Sequence, residues 1–290
     1  MTKRNRNHSP QESIKTHYAD LHIHSIYSDG TLTPREILTN CQNNNIRVAS
    51  ITDHDTVSGI EETLSLTIEG VEIIPAVEMS SNIGDLDIHI LGYFVDHCDP
   101  MLLEYLDSFK QHRVHRVKQI IAKLSKAGVR LEFEQIKSIA QNCSLGRPHI
   151  AEVLVENGYV TSINEAFVRY LGYQSPYYEP KKNIHPKEVI KIILENGGIP
   201  VVAHPGIIND ERILYDLILV GAMGMEVWHP DHTPRSQQHF YEIALKNGLL
   251  MTGGSDCHGR RGSYVSIGMT GCGKKEVDML KSKKTVYKVS

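Results

Sequence analysis

The chain has 290 residues, and 31 basic against 34 acidic side chains give a formal charge of −3, with 40% hydrophobic and 22% charged residues. This is the mix of a globular protein, which excludes disordered and fibrous chains. Without a basic excess it also does not read as a nucleic-acid coat. No apolar run approaches the roughly 20 residues of a membrane span, and no apolar stretch follows the basic start as a secretory signal requires. Five cysteines without a CxxC pair suit a reducing, cytoplasmic setting.

Residues 1–16 are polar and read as a flexible arm. From Tyr18 short β-type runs alternate with helical patterns. Tyr18 to His24 reads as a strand. Thr33, Pro34 and Glu36 then start a helix as N-cap, first helical residue and capping-box partner. Arg47 to Thr52 is a buried strand, and Ser58 with Glu61 is expected to open the next helix in the same way. Val71 to Met79 and Asp87 to Val95 are further strands, joined by a turn around Asn82–Asp85.

The alternation breaks between residues 100 and 178, which read as a helical insertion. It resumes with a helix from Pro186 stopped by Gly197-Gly198 and the strands Ile199 to Ala203, Gly224 to Trp228 and Leu249 to Thr252. Strand–helix alternation predicts an α/β fold, and about seven strands favour a distorted barrel. Its two parts are 17–99 and 179–273; residues 274–290, rich in lysine, are expected as a solvated tail.

There are 16 histidines, against one Trp and five Phe. The charged motifs among them fall where strands end: His22-Ile23-His24, Asp53-His54-Asp55, His204-Pro205-Gly206 and Asp256-Cys257-His258, with Asp29 in the first loop, Glu78 ending the third strand and His89 in the fourth. In an α/β barrel the strand C-termini share one face, where the active site lies. Any one of these residues alone is more often a cap or a satisfied core group. Seven such motifs on one face would be costly to bury unless something binds them, and a metal cluster supplies that partner.

The set YADLHIHSIYSDG, ITDHDT, PAVEMS, HILGYF, AHPG and GGSDCHG, from about Tyr18 to Thr270, resembles the PHP (polymerase and histidinol phosphatase) superfamily. It is most similar to the branch of nucleoside 3′,5′-bisphosphate phosphatases that are also 5′–3′ exoribonucleases. The resemblance implies a distorted (β/α)7, TIM-like barrel and three divalent metal ions, with Mn best suited and Fe or Zn also compatible with the ligands. It assigns His22, His24, Glu78 and Asp256 to the first metal. Glu78 would bridge to a second held by His89 and His204, and Asp29, His54 and His258 would hold the third. Asp53 and Asp55 read as supports of these ligands. A centre near about +3 favours anionic substrates and in-line attack by a hydroxide held between metals, with no catalytic side chain beyond the cluster. Cys257 carries little weight as a nucleophile.

The insertion bears on the substrate. Leu102, Leu106, Phe109, Arg113, Arg116, Ile120 and Leu124 form one helical stripe in which two arginines replace apolar residues. A stripe shifted onto Val117, leaving both arginines solvated, is the competing pattern. The resemblance implies that Arg113 and Arg116 hold a second phosphate, for which the planar guanidinium fork is suited. It also brings His149, and more weakly Arg147, to the substrate, with Asp29 facing it from the metal side. The expected substrates are nucleoside 3′,5′-bisphosphates, giving the 5′-monophosphate, and short single-stranded 5′-phosphorylated RNA. No membrane and no obligate protein partner are implied. The alternatives are a histidinol-phosphate phosphatase, a non-catalytic metal-binding module and, more distantly, a metal-dependent amidohydrolase. His229 and His232 either line the pocket, protonate the leaving group or pack.

Overall fold

The computed structural model describes residues 17–140, 145–180, 182–208, 210–259 and 265–287; the expected arm at 1–16 lies outside them. Strand β1 (Ala19–Ile23) is buried along its whole length and pairs in parallel with β2 (Val48–Ile51). Between them α1 (Pro34–Asn43) begins on the expected capping box of Thr33 and Glu36, worth about 1 kcal/mol. The next helix, α2 (Ile60–Ser65), starts later than expected. Its N-cap is Gly59, while Ser58 is turned to Thr56, whose hydroxyl donates to Ser58 Oγ.

The third expected strand is two. β3 (Glu72–Ile73) pairs with β2, and β4 (Ala76–Ile83) belongs to another sheet. Pro75 stands at the break, where it has no N–H to give to a ladder. β4 runs antiparallel to β5 (Leu86–Tyr93) through a turn in which Gly84 takes φ +59°, a left-handed conformation natural to glycine. β5 is antiparallel to β6 (Ile199–Val202), after which β7 (Gly224–Trp228) and β8 (Leu250–Gly253) add in parallel.

The chain is therefore α/β, but its eight described strands form a three-stranded and a five-stranded sheet and not one continuous barrel of seven. The sheets meet through isolated bridges: Ile23 to Cys257, His54 to Glu78 and Ala19 to Cys272. Two of these seams fall among the predicted metal ligands.

Residues 100–171 are largely helical. α3 (Pro100–Lys126) is the long element, followed by α4 (Phe133–Ala140), α5 (Arg147–Glu156), α6 (Ile163–Ala166) and a π-turn over Phe167–Leu171. The first half of α3 buries Leu102, Leu106 and Phe109 against the five-stranded sheet and its helices. Its second half buries Val117, Ile120 and Leu124 in a separate core with Ile136, Ile150 and Leu154. Each such side chain contributes about 1.5–3 kcal/mol. The remaining helices are α7 (Pro186–Glu195), α8 (Glu211–Leu219) and α9 (Pro234–Lys246), which cover the five-stranded sheet.

The expected lysine-rich tail is instead a helix, α10 (Lys274–Tyr287). Val277 and Leu280 are fully buried against Leu21, Val48 and Tyr93, while the lysines stay on the outer side. Apolar burial on one face outweighs the polar composition. Among the described residues no helix is long and apolar enough to cross a membrane.

Candidate metal centre

β1 delivers two imidazoles to one place because residues two apart on a strand point the same way. His22 and His24 are both fully buried. The turn after β8 lies directly against them: a Cβ on Gly254 would sit 2.3 Å from the Cβ of His22, so only glycine allows this approach. Asp53 steadies the loop after β1 by accepting from the Ser25 amide and from the hydroxyls of Ser25 and Ser28 at 2.6–2.8 Å. Asp55 accepts from Ser80 and from Arg113. The two aspartates flanking His54 thus act as supports.

Glu78 is the crossing point. Its Oε2 lies 3.2 Å from His22 Nε2, 3.2 Å from His24 Nε2 and 3.1 Å from His54 Nδ1. Its Oε1 lies 3.0 Å from both His89 Nδ1 and His204 Nε2. The carboxylate therefore faces five imidazoles, three through one oxygen and two through the other. Yet Glu78 Oε2, His22 Nε2, His24 Nε2 and His54 Nδ1 are all buried without a hydrogen-bond partner among the described residues. Buried polar atoms are ordinarily satisfied. Four orphans that converge without hydrogen-bond alignment fit cation coordination, and their nitrogen and oxygen donors suit a divalent transition ion.

Three overlapping ligand groups result: His22, His24, Glu78 and Asp256; His54, Glu78 and His89; and His24, Asp29, His54 and His258. Eight of the nine sequence-predicted ligand residues fall in these groups; the ninth, His204, meets the cluster through Glu78 Oε1. His54 is less confined than expected, since it reaches Glu78 as well as the Asp29 side. His204 and Asp256 take positive φ values of 26° and 51°, conformations that cost non-glycine residues about 1–3 kcal/mol.

The electrostatics are those of a centre built around positive charge. Burial opposes ionisation of Glu78, but the surrounding histidines hold it well below the usual carboxylate range. Burial likewise disfavours Asp256, yet His22, His229 and His24 hold its carboxyl far below the usual value. Burial works against protonation of His24, but Asp256 and Glu78 raise it to about 10. Against the same burial, Glu226, Asp256 and Glu78 hold His22 well above the usual range. His54 goes the other way, lowered by burial to about 4.

Both competing readings of the α3 stripe hold in part. Val117 is buried, and Arg113 and Arg116 are half-buried rather than solvated. Arg113 donates through Nη2 to Asp55 at 2.6 Å and to Ser80 at 3.1 Å. Arg116 gives its Nε hydrogen to the Glu179 carbonyl, whereas its buried Nη2 has no partner among the described residues. Arg147 donates to the Leu171 carbonyl and stands over the rings of Tyr173 and Tyr178. Burial, then the positive charges of Arg147 and Arg113, lower the pKa of Arg116. His149 accepts from the Gly146 amide at Nδ1, and burial lowers its pKa below the usual range.

His229 and His232 have their ring nitrogens engaged. His229 accepts at Nδ1 from the Asp231 amide and bonds Asp256 through Nε2 at 3.3 Å. His232 bonds the Val227 carbonyl through Nδ1 and accepts from the Gly206 amide. Both support the site rather than open into it. Cys257 is buried, burial raises its thiol pKa, and its Sγ faces the Val265 carbonyl. Glu226, a fully buried carboxylate beside His22, escaped the sequence reading; its signal is one charged residue inside the apolar strand GMEVW.

No protein-family model matches the sequence. Individual relatives do. A 3′,5′-nucleoside bisphosphate phosphatase of Chromobacterium violaceum is 31% identical over 246 residues, covering 82% of this chain and 86% of its own. A 5′–3′ exoribonuclease of Haemophilus influenzae is 33% identical over 245 residues, covering 82% and 89%. A phosphoribosyl 1,2-cyclic phosphate 1,2-diphosphodiesterase of Eggerthella lenta is 28% identical over 255 residues, covering 86% and 97%. Among solved structures, one from Bifidobacterium adolescentis described as a metal-dependent phosphoesterase superposes with a TM-score of 0.80 at 27% identity, covering 93% and 98%. Site and relatives together define a metal-dependent phosphoesterase, a hydrolase of phosphoric esters. The chain belongs to the PHP family, in the branch that contains the bisphosphate phosphatase and the exoribonucleases.

Proposed function

We propose that the protein removes the 3′-phosphate of nucleoside 3′,5′-bisphosphates and degrades short 5′-phosphorylated RNA from its 5′ end. The observation that carries this reading is the buried Nη2 of Arg116, which has no partner among the described residues and lies within the fields of Arg147 and Arg113. A guanidinium left with an open donor suits a phosphate oxygen. One phosphate at the ligand cluster and one at the arginines describe a nucleotide phosphorylated on both sides of its ribose. A 5′-phosphorylated RNA presents the same two groups. The names of the Chromobacterium violaceum and Haemophilus influenzae relatives support the reading.

In this reading the nine ligands would hold three divalent ions, Mn by preference: His22, His24, Glu78 and Asp256 one, Glu78, His89 and His204 a second, and Asp29, His54 and His258 the third. Bound ions supply Lewis-acid polarisation and water activation. The chain's residues do the rest: Glu78 joins the ligand groups, Asp29 and His149 face the substrate, and Arg113 and Arg116 hold the 5′-phosphate. The helical segment 100–178 would be the substrate-binding part. The isolated bridges between the sheets support a distorted, incompletely hydrogen-bonded barrel. The four described cysteines are free, in keeping with a cytoplasmic setting.

The test is phosphate release by Mn-loaded protein from adenosine 3′,5′-bisphosphate, histidinol phosphate and phosphoribosyl 1,2-cyclic phosphate. Preference for the bisphosphate, leaving 5′-AMP, is expected. Preference for histidinol phosphate would reduce the arginines to structural residues. Preference for the cyclic ester would move the assignment towards the Eggerthella lenta relative.

A further inference from the structure

We infer that Glu226 is a positioning residue of the metal centre, setting the His22 ring and the His204 backbone from behind; the inference rests on the metal reading above. Glu226 lies within β7, and neither it nor the His22 side chain has any exposure. Both carboxylate oxygens face His22 Nδ1, at 3.2 and 3.3 Å. Oε2 also accepts the backbone N–H of His204 at 2.9 Å. Glu226 thus touches two ligand residues from different strands without joining the ligand groups itself.

A neutral imidazole carries its hydrogen on one nitrogen only. With a carboxylate against Nδ1, that hydrogen stays on Nδ1, and Nε2 presents its lone pair. Nε2 is the atom that faces Glu78 Oε2 and Asp256 Oδ1, at 3.2 and 3.4 Å. A carboxylate behind a ligating histidine fixes ring orientation and raises donor strength. At His204 the task is mechanical. Its φ of 26° is unfavourable for a residue with a side chain, and the bond from its amide to Glu226 holds that conformation. The same strand end acts on a third ligand through His229: Nδ1 accepts from the Asp231 amide, so Nε2 carries the hydrogen given to Asp256 Oδ2, leaving Oδ1 to face His22 and His24.

The experiment is calorimetric titration of metal-free parent, E226Q, E226D and E226A with Mn2+, with melting of each metal-free protein beside it. Glutamine keeps the size and removes the charge. Mn2+ affinity of E226Q should fall about 10- to 100-fold, with aspartate restoring part of it. A purely structural role would lower melting temperatures and leave the affinity of folded E226Q equal to that of the parent, which would overturn the inference. Should E226A not fold, E226Q and E226D still decide. A parent that binds no Mn2+ would overturn the metal centre, and this inference with it; a parent that binds as tightly as E226Q overturns this inference alone.

Discussion

Glu78 Oε1 and His204 Nε2 meet at 3.0 Å although 126 positions separate them in the chain. The other oxygen of the same carboxylate faces His22, His24 and His54. Glutamine at position 78 keeps the shape but gives one of these two faces an N–H2 group, which repels cations. Lewis-acid stabilisation is worth several kcal/mol. Glu78→Gln should therefore lower kcat/KM for phosphate release by at least about 100-fold. Its Mn content, read by elemental analysis, should fall together with turnover. A fully loaded, fully active variant would place the chemistry elsewhere.

Metal loading should release protons. With no ion bound, the carboxylates around His24 overcome burial and raise it to about 10, and they hold His22 well above its ordinary value. Both rings are protonated at neutral pH in that state, and a metal can bind only after displacing those protons. Calorimetry in two buffers of different ionisation enthalpy should show proton release on Mn2+ binding, and affinity should rise with pH. The metal-free fold has the opposite slope at His24. A folded pKa above the unfolded one gives stability fully present below about 6.5 and lost as pH rises through about 10. Melting of the metal-free protein at pH 6.5 and pH 9 measures this second trend.

Arg116 and Arg113 should separate in mutagenesis. Arg113 already has Asp55 and Ser80, whereas Arg116 keeps an open Nη2. Hydrogen bonds to charged groups are worth about 1.5–3 kcal/mol. Arg116→Lys should thus raise KM for a 3′,5′-bisphosphate about 10- to 100-fold and leave a 3′-monophosphate nearly unaffected. Arg113→Ala also strands the Asp55 charge, so its melting temperature should fall as well. Equal losses of Arg116→Lys on both substrates would remove the second phosphate site.

Gly254→Ala tests the seam between the sheets. The new methyl would enter the space of His22 backbone and Cβ atoms at 2.3–2.8 Å, where rigid main chain must shift. Overpacking of this kind costs about 1–3 kcal/mol, and it moves β1 away from Asp256. A lowered melting temperature together with weakened Mn2+ binding is the expected pair.

Much of the ligand set was legible because its members end or follow strands, and such ends gather on one face. His24, His54, His204 and Asp256 follow β1, β2, β6 and β8 in this way, whereas Glu78, expected to end a strand, and His89 lie within β4 and β5. Pairing itself was less legible. Pro75 is a local sign against reading Val71 to Met79 as one strand, but nothing local says that the two pieces belong to different sheets. Glu226 was missed because a single acidic residue in an apolar strand has no periodicity to betray it; only the fold brings it to His22. The C-terminal helix was missed for a compositional reason, since lysines outnumber Val277 and Leu280, which alone decide where the segment lies.

Helix α3 crosses from one core to the other without interruption, with Phe109 in the first, Val117 in the second, and Arg113 and Arg116 between them. Its 27 residues extend about 40 Å as one hydrogen-bonded rod. The two arginines are consequently set against each other, and against both cores, by a stiff rod and not by a loop that could stretch. One residue added before Arg113 would turn both guanidinium groups about 100° around the helix axis and slide them about 1.5 Å along it. If the two arginines hold the second phosphate as proposed, tolerance for substrates of other lengths would have to come from the substrate's own bending, because this rod does not bend to meet them.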